Sequence, residues 1–364
     1  MLGAYQLHYR DWLVANEKKK ALGWTRAQVT RRISGTLRLS SVETMLVLRR
    51  SLSTASSLLG RELYQGESVV RLILKDVKRR NALSLEMIEA LTKEMEGINT
   101  IPKVVPCHRQ LVIGLILRLN SDPISSTTQY RFWKAEAGFD LHQKVFDRCG
   151  NLMMLIRRME IPVIAEVRGV AAAAGCQLVA TCDVVVASDT SKFVVPGQKV
   201  GLFCSTPGIP LARAVPHKIA LDMLLTGEPI DAQTALRCGL VSRIVPEKDV
   251  KFEALKVAEQ IGQHSRAVTA LGKKFFYSQT ELGINDAYRF GGRIMTENLK
   301  FKDAQEGINA FVEKRKPSFT HTDEKRLYRK NLVNGPMAFY CNSVSITCAG
   351  YTSRNVYQVN EVSV

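Results

Sequence analysis

Short apolar runs alternate with amphipathic stretches through the middle of this 364-residue chain. The run at 162–167 is typical of a strand that is covered on both faces of a sheet. Small residues at 171–175 follow it and open an amphipathic helix. The apolar runs at 182–187 and 192–197 predict two more strands, and helices are predicted from about 251 to 317. The pattern therefore predicts an α/β domain with helices at its C-terminal end.

Four segments are predicted along the chain. They are a basic N-terminal extension with a mitochondrial transit peptide at 1–65, an α/β core at 66–250 in which 104–134 is atypical, a C-terminal helical subdomain at 251–320, and a disordered tail at 321–364. The tail residues 340–364 show neither helical nor strand periodicity.

The small residues at 171–175 suit a binding site for developing negative charge. They let another group approach the backbone closely, and the first amides of the following helix have no acceptor inside that helix. These amides carry a partial positive charge, which stabilises an oxyanion. The alternative is that the small side chains only allow tight packing of the helix on the sheet.

Spaced motifs between 69 and 319 resemble the enoyl-CoA hydratase/isomerase (crotonase) superfamily. The segment 76–84 resembles its early motif, 162–187 its central strand and active-site helix, and 303–317 its closing helix. Further segments match in the same order, at 192–197, 200–208, 211–215, 224–232 and 235–246. Several spaced elements in one order are more specific than a single glycine-rich turn.

The resemblance implies a crotonase-like spiral of repeated β-β-α units, with a C-terminal helical subdomain that joins subunits into homotrimers or hexamers. It implies an acyl-CoA thioester as ligand, no other cofactor, and a role in fatty-acid and lipid metabolism. The segments 175–178 and 201–208 are most similar to a mitochondrial branch of the superfamily. The chain is therefore expected in mitochondria, in the matrix.

By resemblance, two backbone N–H groups hold the thioester carbonyl and two glutamates act as acid and base. Ala174 would supply the second N–H. The first glutamate position carries Gln177, which cannot exchange a proton near neutral pH, and the second carries Gly197. Each acid–base group is worth about 10²–10⁴-fold in rate, so little or no hydratase activity is expected. Glutamates at both positions, with the family's oxyanion loop restored, are expected to bring back measurable hydration.

The resemblance also implies a nucleotide site for CoA. Lys78 and the backbone around Ala82 and Leu83 would hold the nucleotide, and Phe311 and Lys314 would reach it from a neighbouring subunit. A lysine near the phosphates is physically reasonable. The alternative is that the basic residues at 314–316 only offset the negative C-terminal end of a helix.

The segment 104–133 departs from the family. The family places a strand and a glycine-containing loop here, and that loop supplies the first oxyanion donor. This chain instead has an apolar run at 111–119 and a turn-rich tract at 120–128. Either the branch has replaced the loop, or an alternative transcript or imperfect gene model has put foreign sequence there. We favour the second explanation. One lost oxyanion donor costs about 10²–10³ in rate.

The net charge of +17 is concentrated at the two ends of the chain. Residues 1–80 carry +10 and residues 314–364 carry +5, whereas the middle carries only +2. This distribution argues against a nucleic-acid partner. From Met45 the chain has arginine, serine and apolar residues without an acid, as transit peptides do. Met45 is also the expected natural start.

Cysteine and histidine give no pattern of a disulfide framework or a metal site. Five cysteines, at 149, 176, 182, 204 and 238, lie in apolar surroundings typical of buried thiols. His108, His142 and His217 are dispersed and are expected to be surface or packing residues. No apolar run is long enough for a transmembrane helix.

Three functions remain open from the sequence. The first is a mitochondrial acyl-CoA-binding protein with little or no hydratase activity. The second is an enzyme of altered chemistry, an isomerase or thioester hydrolase, for which Glu166 and Ser205 are candidate groups. A core or capping role is favoured for both residues. The third is a non-catalytic regulatory scaffold.

Overall fold

The computed structural model describes residues 58–65, 68–99, 114–121 and 138–325. All of them belong to one compact unit. The predicted transit peptide, His108, most of the atypical segment and the chain beyond 325 lie outside the described residues.

The predicted apolar runs form strands, and additional strands flank them. The strands are β1 (Leu59–Tyr64), β2 (Val69–Leu74), β3 (Gly114–Ser121), β4 (Val163–Ala172), β5 (Val184–Ser188), β6 (Lys192–Val194), β7 (Ile230–Asp231) and β8 (Arg243–Val245). β1 lies inside the stretch that the sequence assigned to the N-terminal extension. It pairs with β2, so these residues belong to the folded core and not to the extension.

Helices connect and cover these strands. They are α1 (Leu85–Asn99), α2 (Phe139–Arg158), α3 (Ala174–Thr181), α4 (Ser205–Ala214), α5 (His217–Thr226), α6 (Ala232–Arg237), α7 (Val250–Gly262), α8 (Arg266–Gln279), α9 (Ile284–Leu299) and α10 (Lys302–Val312). The last four confirm the predicted C-terminal helices.

β4 is the strand that organises the sheet. Along the main path the strand order is β1-β2-β3-β4-β5-β8. β1 is antiparallel to β2, and the other pairs on this path are parallel. The last residues of β4 leave this ladder and pair instead with β6, which is antiparallel to β7. β4 therefore belongs to two ladders, and its C-terminal end marks the place where the sheet turns.

Alternate residues of β4 face opposite layers, as the period of a strand requires. Val163 and Ala165 join the larger apolar cluster, which includes buried residues of α1 and α2. Ile164 joins a second cluster, which includes buried residues of α7 such as Ala254. Burial on both faces explains why 162–167 is apolar nearly throughout.

One charged residue interrupts that apolar run. Glu166 is fully buried and accepts two hydrogen bonds from Arg71 of β2, at 2.7 Å from Nε and 2.9 Å from Nη2. Arg71 is 2% exposed and also donates to Glu62 at 2.7 Å. The bidentate geometry satisfies both charges, and so the pair is tolerated inside the protein.

The C-terminal helices are anchored to the sheet through Asp183. Lys273 Nζ lies 2.6 Å from Asp183 Oδ2, and the Tyr277 hydroxyl donates to Asp183 Oδ1 at 2.7 Å. Asp183 Oδ2 also accepts from the backbone N–H of Val163, the first residue of β4. Burial lowers the pKa of Lys273 and raises the pKa of Tyr277. This cluster ties α8 to the strand that carries the site.

The helical subdomain continues past its predicted end at residue 320. Asp303 is buried and accepts hydrogen bonds from the backbone N–H groups of Thr320 and His321, at 2.7 and 2.9 Å. Phe301 and Lys325 form an antiparallel β-bridge. Residues 321–325 of the predicted tail therefore pack on the C-terminal helices.

Replacing Glu166 by glutamine should destabilise the fold strongly. Glu166→Gln leaves the buried Arg71 with only the partly exposed Glu62 as a counter-charge, and breaking a buried ion pair costs about 3–5 kcal/mol. Glu62→Gln is the matched control, because the Glu62 side chain is 41% exposed and should contribute less than about 1 kcal/mol. Urea unfolding measures both changes. Equal losses for the two variants would contradict this account of the core.

Candidate functional site

The chain passes from β4 to α3 through one residue in a conformation that alanine rarely adopts. Ala173 has φ +48° and ψ −114°. Its N–H donates to the Val194 carbonyl of β6 at 2.9 Å, and its carbonyl accepts from the Gln177 N–H at 3.0 Å. Such backbone strain costs about 1–3 kcal/mol and persists only where neighbouring structure holds it. Here β6 and the first turn of α3 hold it.

Ala174 is the first residue of α3. Its N–H has no acceptor within the helix, and the described residues supply none elsewhere. The N–H therefore points out of the helix at its positive end. This is the geometry expected of the backbone oxyanion donor.

Gln177 lies one turn after Ala174 and is 4% exposed. Residues three apart share a helix face, and side chains lean toward the helix N-terminus. The Gln177 amide therefore lies on the side of α3 where the free N–H of Ala174 begins. The Thr181 hydroxyl donates to the Gln177 carbonyl at 2.7 Å and completes the packing of this turn.

A buried thiol contacts the Gln177 amide. Cys149 Sγ of α2 donates to Gln177 Oε1 at 3.8 Å. Burial raises the pKa of the Cys149 thiol to about 11, so that it keeps its proton near neutral pH. The sequence predicted Cys149 only as a buried thiol. Its contact with Gln177 joins residues 28 apart, and no local pattern could have indicated it.

Gly197 lies in the short 3₁₀ turn Pro196–Val200 after β6. Its N–H donates to Cys204 Sγ at 3.2 Å, and its carbonyl accepts from the Leu202 N–H at 2.9 Å. A Cβ at this position would lie 2.3 Å from the Leu202 carbonyl oxygen and 2.7 Å from Cys204 Sγ. The space for a side chain is therefore filled by the chain itself. The expectation that a glutamate here restores hydration does not follow from this geometry, because the 197–204 loop would first have to move.

The residues expected to hold CoA lie in two separate places. Lys78 is exposed in the 3₁₀ turn after β2, and Ala82 and Leu83 are half-buried just before α1. Phe311, at the end of α10, is 85% exposed, and Lys314 lies just beyond it with φ +55°. No described contact joins the two groups within one chain.

Comparison with known proteins places this geometry in a family. Residues 134–322 match the model of the enoyl-CoA hydratase/isomerase family. The chain belongs to the enoyl-CoA hydratase/isomerase family. Enoyl-CoA hydratase domain-containing protein 3, mitochondrial, of Xenopus laevis is 48% identical over 71% of this chain and 86% of its own length. The human protein of that name is 45% identical over 71% of this chain and 82% of its own length.

Solved structures confirm the predicted crotonase fold. The crystal structure of human enoyl coenzyme A hydratase domain-containing protein 3 is 43% identical and matches with a TM-score of 0.66. The matched region covers 72% of this chain and 99% of the human chain. An enoyl-CoA hydratase of Mycobacterium smegmatis, 38% identical, matches with a TM-score of 0.67 and covers 73% and 100% of the two chains. The family match begins at residue 134, where the atypical segment ends.

Neither candidate for altered chemistry is well placed in this family member. Glu166 is enclosed by its ion pair with Arg71, which confirms the favoured core role. Ser205 is exposed as the first residue of α4, and its hydroxyl donates to the Phe203 carbonyl at 3.4 Å. The core or capping role predicted for Ser205 is wrong, because the residue is exposed and the N-cap position belongs to Cys204.

The described thiols and imidazoles agree in part with the sequence. Cys149, Cys176 and Cys182 are buried, whereas Cys204 and Cys238 are only half-buried. His142 is half-buried and His217 is exposed.

Among the described residues, no three Cys, His, Asp or Glu side chains are grouped so that they could hold a metal ion. No helix there is long and apolar enough to cross a membrane.

Arg315 bears on the alternative that the basic residues at 314–316 only offset the negative end of a helix. Its guanidinium pairs with Glu306 and Glu313, both at 2.6 Å. At least this one of the three basic residues at 314–316 is therefore engaged by carboxylates.

Replacing Ala173 by glycine should stabilise the protein. Glycine adopts positive φ without the Cβ clash, and the strain released, about 1–3 kcal/mol, exceeds the added entropy of the unfolded chain, about 0.5–1 kcal/mol. We expect a net gain of about 1 kcal/mol in the free energy of unfolding. Ala174→Gly is the control, because residue 174 is helical and glycine there should cost about 1 kcal/mol. Urea unfolding distinguishes them, and a loss of stability for both variants would contradict the strained geometry.

Proposed function

We propose that this chain binds acyl-CoA thioesters in mitochondrial fatty-acid and lipid metabolism and has little or no enoyl-CoA hydratase activity. One observation carries the proposal. At the N-terminus of α3 the Ala174 N–H has no partner among the described residues, while Gln177 and Gly197 stand at the two positions that the resemblance assigns to the family's catalytic acids. Membership of the family supports the ligand class.

Binding can persist because its main donor belongs to the backbone. The Ala174 N–H needs no particular side chain, and the positive end of α3 favours the polarised oxygen of a thioester. Exposed Lys78 offers a cation for the CoA phosphates. Ala82 and Leu83 would contribute backbone groups beside it.

Hydration, in contrast, needs groups that exchange protons. An amide at 177 cannot replace a carboxylate in that step, and residue 197 has no side chain. Two such losses, at about 10²–10⁴-fold each, would lower the rate below practical measurement. Glu166 cannot substitute for them, because Arg71 holds both of its oxygens.

Two alternatives are outcomes of the same experiment. An isomerase or thioester hydrolase would turn over an acyl-CoA with groups other than those at 177 and 197. A non-catalytic regulatory scaffold would keep the fold and bind no thioester. The names of the relatives support a mitochondrial location, and we propose the matrix.

Calorimetry and turnover assays on the full chain test the proposal. Butyryl-CoA and crotonyl-CoA should bind, and crotonyl-CoA should show no hydration above the uncatalysed rate. The matched control is S-butyl-CoA, a thioether in which a methylene replaces the thioester carbonyl. Because it lacks the acceptor for the Ala174 N–H, it should bind about 3–10-fold more weakly than butyryl-CoA.

Three results would contradict the proposal in different ways. Equal affinity for thioester and thioether would remove the role of Ala174. Turnover of crotonyl-CoA or of a saturated acyl-CoA would favour an enzyme of altered chemistry. Absence of any binding by the folded chain would favour the scaffold.

We also propose that the chain forms homotrimers, which can pair into hexamers. One face of α9 presents four apolar side chains to solvent at helical spacing, namely Ile284, Tyr288, Met295 and Leu299, which are 70%, 75%, 62% and 44% exposed. Such an exposed stripe is typical of an interface between proteins. An interface there would also let Phe311 and Lys314 approach a neighbour's CoA site.

Light scattering after size exclusion tests the assembly. The native chain should give three or six times its 40.6 kDa mass. Tyr288→Glu should shift the assembly toward monomers, because a charge would be buried without a partner. Phe252→Glu is the matched control, since Phe252 of α7 is 69% exposed and lies off that stripe. A monomeric native chain would overturn the proposal.

A further inference from the structure

Arg266, the first residue of α8, carries a buried guanidinium whose donors are largely unused. Its side chain is only 4% exposed. Nε and Nη1 are buried and have no hydrogen-bond partner among the described residues. Buried donors in native proteins nearly always have an acceptor, and an unsatisfied charged donor costs more than a neutral one. Two unused donors on one buried cation therefore indicate an acceptor from outside the described chain.

Two carboxylates at this end of α8, Glu160 and Asp303, leave the guanidinium unsatisfied. Glu160 Oε2 lies 3.7 Å from Nη2 of Arg266, which is too far for a hydrogen bond. Asp303 is engaged elsewhere, because Oδ1 accepts from the N–H and hydroxyl of Thr320 and Oδ2 accepts from the N–H of His321. Burial lowers the pKa of Arg266, and the attraction of Glu160 opposes this shift. The buried positive charge is therefore only partly compensated.

The chemistry around Arg266 selects an oxyanion. A guanidinium presents N–H groups in forks that match two oxygens of a carboxylate or phosphate. Nη2 forms one fork with Nε and another with Nη1, so an oxyanion at Nη2 also reaches one of the unused donors. α8 is fourteen residues long, and the partial positive charge at its N-terminal end favours an anion at the same place.

This place is remote from the proposed thioester site. Glu160 precedes β4, whereas Ala174 follows it. β4 is ten residues long, which corresponds to about 30 Å of extended chain. An anion at Arg266 would therefore be a second ligand, and it does not depend on the binding of acyl-CoA.

Access to the guanidinium depends on Glu160. Nε and Nη1 are closed off from solvent, so an anion reaches them only if a neighbouring side chain moves. The Glu160 side chain is 38% exposed and makes no hydrogen bond with Arg266, so it is the contacting group that can turn toward solvent. Its carboxylate is also the group with which an incoming anion competes.

We propose that Arg266 binds a small oxyanion, inorganic phosphate or a carboxylate, which displaces Glu160 from Nη2 and uses one of the two free donors beside it. The anion would bind at the N-terminal end of α8. α8 is tied to the sheet through Asp183, and so the anion would stabilise the packing of the C-terminal helices on the core.

Thermal unfolding of the full chain in phosphate, acetate and chloride at equal ionic strength tests the site. Phosphate stabilises proteins in general through exclusion from their surface, so the informative quantity is the difference between the native chain and Arg266→Met. At about ten times the Kd of the bound anion, the native Tm should rise about 3–5 °C more than that of Arg266→Met. Chloride should raise both equally. The larger difference, in phosphate or in acetate, identifies the oxyanion.

Glu160→Gln tests the competition. The variant removes the competing charge and keeps the guanidinium, so the anion concentration at half of the maximal shift should fall about 3–10-fold. Glu281→Gln is the matched control, because it removes a carboxylate that is 53% exposed and lies 3.1 Å from Arg157. The control should respond to the anion as the native chain does.

Two results would overturn the proposal. Equal shifts for the native chain and Arg266→Met, in phosphate and in acetate, would show a general salt effect only. An unchanged midpoint in Glu160→Gln would show that no anion competes with this carboxylate, and this comparison decides the matter even if Arg266→Met does not fold. Neither result would affect the proposed binding of acyl-CoA at the other end of β4.

Discussion

The site depends on the single left-handed residue that joins β4 to α3. β4 pairs with β3 and β5 in one ladder and with β6 in another, so its direction is fixed before the chain reaches Ala173. The chain then has one residue in which to turn from strand to helix. The Ala173 N–H donates to β6, and the Ala173 carbonyl accepts from the first turn of α3, so both sides of this peptide turn are held. The direction of the Ala174 N–H and the position of Gln177 follow from this turn.

The C-terminal end of α3 is followed by an ion pair and hydrogen bonds centred on Asp183. Asp183 follows the helix and binds Lys273 and Tyr277 of α8 together with the first amide of β4. The C-terminal helices therefore contact the same short segment that presents the site. α8 contacts Asp183, just after α3, and packs next to α9. A subunit interface on α9 would therefore be separated from α3 by a single helix.

The sequence could indicate what depends on neighbouring residues and not what depends on distant ones. The strands of the core could be predicted because each apolar run lies within a local segment. The pairing of Arg71 with Glu166 joins residues 95 apart, and so neither could be assigned its partner. β1 was missed because it is an edge strand whose two central residues, Arg61 and Glu62, are both charged, so that it shows no apolar run. The conformation of Ala173 was hidden because alanine normally avoids positive φ.

The structure treats the two positions expected to carry the family's acids differently. Gln177 keeps the length and shape of a glutamate and remains in place, with its oxygen bound to Cys149. At Gly197 the Leu202 carbonyl and Cys204 Sγ occupy the space that a Cβ would need. A carboxylate at 177 would change only the chemistry of an existing contact, whereas one at 197 would require a different loop. Position 177 thus has room for a side chain of the length of glutamate, whereas position 197 has no room for a side chain.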